Sequence, residues 1–350
     1  MKKLFIFFIL ISNLKNRAQE DSHVLLTLGL DSVFSKITDK EPGGSIYIQQ
    51  AGQILYSRSF GLANLKTKEK FTENTASGIS SITKTFIAYS ILILQKQGQI
   101  QIDDSIIKYF PDLRSKEAGT KIKVRHLLTH MSGLPNVPIK NNDKLNLIKL
   151  IDKPEFEPGS NYKYSEMDYS ILALIIEKIS NTTWQLFIQK NIFEPAGMIS
   201  TKLVEGTLDE NTAQFYKKKK KKYRKQKQHP CYENSVLCSV GWSTIGNLRK
   251  YVYAIKECVF LDCETLKIAT KIWQPVNWRN ATPPIQGFSW VIHEEKNKNI
   301  LWESEKDKEG LKAQIMMYPK SDIMVIWMSN NNEAYTDFIH EHLLNLRYLK

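Results

Sequence analysis

Ile79-Ser80-Ser81-Ile82-Thr83-Lys84-Thr85-Phe86-Ile87-Ala88-Tyr89 is the stretch on which the reading of this chain turns. From about Thr83 to Gln97 the sequence is a long apolar run without Pro or Gly, which predicts a buried helix. Ser81 stands three residues before Lys84, so at the start of that helix the hydroxyl and the amine share one face. A lysine held among apolar neighbours can lose its charge and take a serine's proton, which makes a nucleophile without a histidine.

The Ser-x-x-Lys tetrad also begins at Ser12, Ser105 and Ser160, and context separates the copies. Ser12 lies in an export-signal pattern, Ser105 starts a short amphipathic stretch ending at Pro111, and Ser160 follows the turn pair Pro158-Gly159. Only Ser81 precedes a long apolar helix. It also follows two strand-like runs, Ser45 to Gln50 and Gln53 to Phe60, joined by a tight turn at Gly52.

Further blocks extend outward from this centre. Upstream are Gly43-Gly44-Ser45-Ile46 and Phe60-Gly61-Leu62-Ala63. Downstream come Gly98-Gln99-Ile100, Asp103-Asp104 to Pro111, and the string Val124-Arg125-His126-Leu127-Leu128-Thr129-His130-Met131-Ser132-Gly133-Leu134. Pro158-Gly159 to Tyr164-Ser165, Phe193-Glu194-Pro195-Ala196-Gly197-Met198 and Val240-Gly241-Trp242-Ser243-Thr244 follow, then Tyr318-Pro319 and Val325 to Asn330. In this order they resemble the serine β-lactamase and penicillin-binding-protein-like superfamily, in particular the class C β-lactamase, DD-peptidase and esterase branch, from about Gly43 to Asn331. The resemblance implies an antiparallel sheet with flanking helices, an inserted helical lobe and an active site in the cleft between them. It implies Ser81 as nucleophile, with Lys84 and Tyr164 handling protons, and no cofactor.

Two departures from that pattern bear on function. Where the family has Tyr-x-Asn, this chain reads Tyr164-Ser165-Glu166. Where it has Lys-Thr-Gly or His-Thr-Gly, between Trp302 and Leu311, neither is present; the first position falls on Glu303 or Ser304, and an oxyanion-binding amide is expected near Lys306. Ser77-Gly78 also replaces a large apolar and basic pair. Glu166, Ser304 and Lys306 are therefore candidate substrate-lining residues. A carboxylate at Glu166 adds negative charge near Lys84 and favours its ammonium form. It can equally be an acid that suits a helix N-terminus. Tyr232-Glu233-Asn234 also spells Tyr-x-Asn but lies out of order beside a charge run.

His126 and His130, four apart, would share a helix face as two metal ligands do, but no third ligand stands near them in sequence. They read as core or helix-capping residues of the family string, and no metal is expected. No phosphate-binding glycine loop or dinucleotide fingerprint occurs.

The 350-residue chain carries a formal net charge of +13, which is localised. Nine cations lie between Lys217 and Lys227 and four more, Lys2, Lys3, Lys15 and Arg17, lie in the first eighteen residues; the remainder sums to zero. A nucleic-acid-binding face would spread its cations over folded elements with aromatics between them, so that class is not expected. The Lys217–Lys227 tract reads as a self-repelling, solvated loop, with contact to anionic lipid, cell-wall polymer or another polyanion as the alternative.

Lys2-Lys3 followed by the apolar run Leu4 to Ile11 fits a signal peptide, with cleavage after Ala18 and an extracytoplasmic (periplasmic or secreted) location. That run is shorter than the roughly 20 residues a span requires, and no membrane span is expected. Export permits disulfides among Cys231, Cys238, Cys258 and Cys263, with three pairings open; buried free thiols are the alternative.

The expected organisation is a signal segment, 1–18, and one domain, 19–350, of the α+β (α/β sandwich) class. Its antiparallel sheet lobe, about 22–75 and 285–350, is built from both chain ends, and a mainly helical lobe covers about 76–275. An N-terminal helix is expected over 22–40 with Val24, Leu25, Leu28, Val33 and Ile37 as its apolar positions. A terminal helix is expected over about Glu333 to Leu346. Function follows as acyl transfer on an ester, amide or D-amino-acid peptide bond of a small-molecule or cell-wall peptide substrate. The rival is an inactive binding module in the same cleft.

Overall fold

The computed structural model describes residues 22–136, 149, 151, 153–203, 212–220, 222–226, 241–275, 285–295, 298–306, 311–331, 336–346 and 348. At 285, 293–295, 298–306 and 336–337 it describes the backbone alone. Residues 22–34 form helix α1. Strands β1 (Gly44–Gln50) and β2 (Gln53–Phe60) make a hairpin, then a short ribbon of β3 (Leu62–Asn64) and β4 (Glu69–Lys70) leads to β5 (Ser77–Gly78). Helices α2 (Ile82–Lys96), α3 (Lys116–Lys121), α4 (Val124–Leu128), α5 (Glu166–Ser180) and α6 (Trp184–Ile188) follow. After β6 (Lys202–Leu203), β7 (Tyr216–Lys219), β8 (Lys222–Lys225) and β9 (Gly241–Ser243) come α7 (Ile245–Lys256) and α8 (Cys263–Ala269). Strands β10 (Ile285–Gln286), β11 (Val291–Glu295), β12 (Lys298–Lys306), β13 (Lys312–Tyr318) and β14 (Ile323–Ser329) precede α9 (Thr336–Asn345).

The main sheet has seven antiparallel strands in the order β10-β11-β12-β13-β14-β1-β2. The last strand in sequence, β14, lies against the first, from Gly44 opposite Ser329 to Gln50 opposite Ile323, so both chain ends build one sheet, as expected. Ala51 and Gly52, both at positive φ, turn β1 into β2, a hairpin turn that glycine tolerates without strain.

Period-two alternation gives the sheet two apolar faces. Tyr47, Ala313, Ile315, Met324, Ile326 and Met328 pack into the larger core with the helical lobe. Ile46, Ile48, Met316, Val325 and Trp327 face the other way, onto α1 and α9. Within the lobe, α2 is buried at every position from Ile82 to Leu94, as a helix with apolar residues on all sides must be, and it carries Thr83, Lys84, Thr85 and Ser90 in with it.

Helix α1 buries a different stripe from the one expected. Leu26, Leu30 and Phe34 are in the core, whereas Val24, Leu25 and Leu28 are more than half exposed. Both stripes run at i, i+4 spacing, and the sheet chose the one ending in Phe34, whose ring stacks on Phe60 at 4.8 Å. The helix ends at 34, short of 40.

One further expectation changes. The basic tract forms a two-stranded ribbon, β7 against β8, and not a loop, although its described cations are exposed as anticipated. Cys258 and Cys263 form a disulfide, while Cys231, Cys238 and the signal segment lie outside the described residues. The face assignment of α1 is checked by denaturant unfolding: Leu30→Ala should cost about 2–5 kcal/mol, while Leu28→Ala stays within about 0.5 kcal/mol of the parent.

Candidate active site

The site begins where a small sheet hands the chain to α2. β5 pairs with β9, and the Ile79 N–H donates to the Gly241 carbonyl at 2.8 Å. Gly241 is required here: a Cβ on it would lie 2.7 Å from Thr83 Oγ1 and 2.8 Å from Ile79. Ser80, directly after Ile79, sits at φ 37°, a left-handed conformation that costs a non-glycine residue about 1–3 kcal/mol. That turn delivers Ser81 to the N-cap of α2, with Lys84 one turn on.

Ser81 Oγ lies 2.7 Å from Tyr164 Oη and accepts from Lys84 Nζ at 3.0 Å. Lys84 Nζ also meets both oxygens of Glu166, at 3.0 and 2.9 Å, and stands 5.2 Å from the centre of the Tyr164 ring. The Lys84 side chain is 6% exposed and that of Glu166 35%, so the group opens to solvent on the Glu166 and Tyr164 side. As an ammonium, Lys84 gives protons to Ser81 and Glu166, leaving the Ser81 hydroxyl to donate toward Tyr164.

Tyr164 and Glu166 are positioned by the start of α5. Ser165 caps that helix, accepting from the Asp168 N–H at 3.2 Å. Asn136 Oδ1 accepts from the Glu166 N–H at 2.9 Å, and Asn136 Nδ2 donates to the Tyr164 carbonyl at 3.2 Å. The His130 ring stacks at a tilt on Tyr164, centres 4.6 Å apart, and its Nδ1 accepts from the Ser165 N–H at 3.2 Å.

His126 and His130 do not share a helix face. α4 stops at Leu128, and His130 lies beyond it at φ 56°. His126 closes the first turn of α4, its Nδ1 accepting from the Lys123 N–H at 3.2 Å. Burial, with Arg125 and Lys123 nearby, pushes His126 down to about 4. Burial, aided by the Lys84 charge, pushes His130 down to about 3. Among the described residues no group of His, Cys, Asp or Glu is arranged to hold a metal ion.

Asp168 was not singled out in the sequence, where it reads as one more acid in a first helical turn. It is completely buried. Its Oδ1 accepts from Ser132 Oγ at 2.5 Å, and its Oδ2 has no hydrogen-bond partner among the described residues. Burial raises its pKa well above the carboxylate range, against the pull of Ser132 and Ser165. His130 Nδ1 is 3.9 Å from Oδ2, but that nitrogen accepts from Ser165 and carries no proton to share. Burial thus disfavours the charged form of both groups.

The third-motif candidates are placed only by register. Ser304 lies on β12 opposite Gln314, Lys306 opposite Lys312, and Glu303 opposite Ile315. Their side chains, and residues 307–310, lie outside the described residues. The structure thus gathers Ser81, Lys84, Tyr164 and Glu166 into one contact group.

A model of the family described as Beta-lactamase matches residues 30–349. The chain belongs to the beta-lactamase family. This family is of serine-hydrolase type, comprising β-lactamases, penicillin-binding proteins and esterases. Penicillin-binding protein 4* of Bacillus subtilis (strain 168) is 24% identical over 330 residues, which cover 87% of this chain and 72% of that protein. The octameric penicillin-binding protein homologue of Pyrococcus abyssi superposes with a TM-score of 0.77 at 24% identity, over 92% of this chain and 76% of its own. EstCE1, a hydrolase with promiscuous acyltransferase activity, has a TM-score of 0.77 at 16% identity, over 94% of this chain and 100% of its own. These likenesses establish the β-lactamase fold for this member of the family.

The buried carboxyl gives a signed pH test. A group whose folded pKa is raised stabilises below its unfolded value, near 3.9, and that contribution is lost as pH rises toward the folded value. Asp168→Asn should therefore gain on the parent as pH rises from about 4 to about 8. Urea midpoints of both proteins across that range check the sign; parallel curves would mean that Asp168 is ionised in the fold.

Proposed function

We propose that this chain is a serine hydrolase that works through an acyl-enzyme, with Ser81 as nucleophile and Lys84 and Tyr164 as the proton-handling pair. The observation that carries this reading is the placement of Ser81 Oγ within hydrogen-bond reach of both Tyr164 Oη and Lys84 Nζ. Together the two partners must give up one proton before they can take that of Ser81, and the ionisation belongs to the pair. Ser81 Oγ then attacks an ester or amide carbonyl as its proton passes to the pair. The pair returns that proton to the departing alcohol or amine. A water, deprotonated by the same pair, attacks the acyl-enzyme, releases the acid and restores Ser81.

Esters or D-amino-acid peptides are favoured as substrates over carboxylate-bearing β-lactams. Glu166 puts a negative charge beside the nucleophile, and the sequence supplies no Lys-Thr-Gly to answer a substrate carboxylate. No cofactor takes part in the proposed steps. We read residues 19–350 as one such hydrolase domain. The basic and apolar pattern of residues 1–18 supports export to an extracytoplasmic compartment.

One observation favours a second reading. Glu166 holds Lys84 with both carboxylate oxygens, which stabilises the ammonium and opposes its use as a base. A protein in which that pair never releases its proton would be an inert binding module using the same cleft.

Hydrolysis of a small chromogenic ester separates the two. In an active enzyme, Ser81→Ala should lower kcat by about three orders of magnitude or more. Glu166→Gln should shift the acidic limb of kcat/KM down by about one pH unit or more, because the pair then loses its proton without a neighbouring carboxylate. Turnover that is unaffected by Ser81→Ala would refute the assignment.

A further inference from the structure

The basic tract is independent of the proposed chemistry and is built as a surface. β7 and β8 pair Tyr216 with Lys225, Lys217 with Arg224, Lys218 with Tyr223 and Lys219 with Lys222. Because faces alternate along each strand, Lys217, Arg224, Lys219 and Lys222 share one face. They form a quartet of cations about 5 Å apart across the ribbon and about 7 Å apart along it. All four are exposed, and the sequence holds no Asp or Glu from Asn211 to Tyr232. Like charges directly opposite each other destabilise a ribbon, so this hairpin carries a repulsion that an external anion would relieve.

The root of the ribbon is tied to the fold in spite of that repulsion. Tyr216, on the other face, accepts from the Leu65 N–H at 2.8 Å, and its own N–H donates to the Asn330 carbonyl at 2.9 Å. Gln214 Nε2 donates to the Gln226 carbonyl at 2.9 Å, tying the two ends of the hairpin together. At the root, Phe215 stacks on Trp242 at 5.2 Å, and Trp242 pairs with Gly78, three residues before Ser81. The quartet is thus connected through Phe215 and Trp242 to the strand pair that leads into Ser81.

We propose that this face is a landing surface for an anionic lipid bilayer and fixes the cleft in one orientation above it. The ribbon presents its charge in two dimensions, across the strand pair and along it, which fits a plane of headgroups. A single-stranded nucleic acid would ask for a groove and open aromatic faces. The ring of Tyr223 is instead covered by Lys218 Nζ, 5.4 Å from its centre. The rest of the chain beyond the tract and the N-terminal cations is neutral, so the attraction is one-sided. Each cation near an anionic membrane surface is worth about 1 kcal/mol.

The test is co-sedimentation of the full chain with vesicles of phosphatidylcholine alone, and of phosphatidylcholine mixed with an equal amount of phosphatidylglycerol. The neutral vesicles report any binding through the apolar N-terminal run. The mixed vesicles should bind more tightly, and added salt should remove the difference. The combined variant Lys217→Gln, Lys219→Gln, Lys222→Gln and Arg224→Gln should lose about a thousandfold in partitioning to the mixed vesicles. A control with Lys40→Gln, Lys68→Gln, Lys190→Gln and Lys320→Gln should keep most of it. The quartet variant should melt no lower than the parent, since it removes cross-strand repulsion, which shows that it is folded. Equal binding to both vesicle types, or equal loss in the two variants, would overturn the proposal. So would capture by polyphosphate or single-stranded DNA under conditions where the vesicles bind nothing.

Discussion

A lysine side chain that is 6% exposed must have its charge answered. Burying an isolated ammonium costs several kcal/mol, and the geometry around Lys84 offsets that cost from three sides. Ser81 Oγ comes from the same helix, the Glu166 carboxylate from the start of α5, and the Tyr164 ring from the residues just before it. The docking of α5 on α2 therefore carries an electrostatic requirement as well as an apolar one. Glu166 is partly exposed, so water shares in neutralising the pair and the bridge stabilises less than a fully dry one would.

The side chains behind this group are polar and buried. His130 supports the face of Tyr164 and holds the Ser165 amide, while Asp168 and Ser132 sit behind them. Glu166 is the carboxylate that touches Lys84, with both of its oxygens. The charge of Lys84 is therefore answered by a group that is itself partly open to solvent.

Much of this was legible in the sequence. The Ser81 helix and the sheet built from both chain ends follow from periodicity, because an all-apolar run of that length and alternating strands have few other solutions. The meeting of Ser81 with Tyr164 across 83 residues came from resemblance, and no local pattern carries it. The stripe of α1 could not be chosen in advance: Val24 and Leu28 stand at the same i, i+4 spacing as Leu26 and Leu30, and only the partner surface decides. The helix through His126 ended earlier than the spacing of the histidines suggested, because the chain turns into the left-handed region at His130. The lysine tract became a ribbon because Gln214, Phe215 and Tyr216 anchor its root, a tertiary effect that outweighs local repulsion. Asp168 was invisible as a buried acid, since at the sequence level it looks like any first-turn carboxylate.

If Ser81 is a working nucleophile, a fluorophosphonate should label it, and intact-protein mass spectrometry reads the label. One covalent adduct is expected on the parent protein and none on folded Ser81→Ala. An unmodified parent, or an adduct that survives in the Ser81→Ala variant, would contradict it.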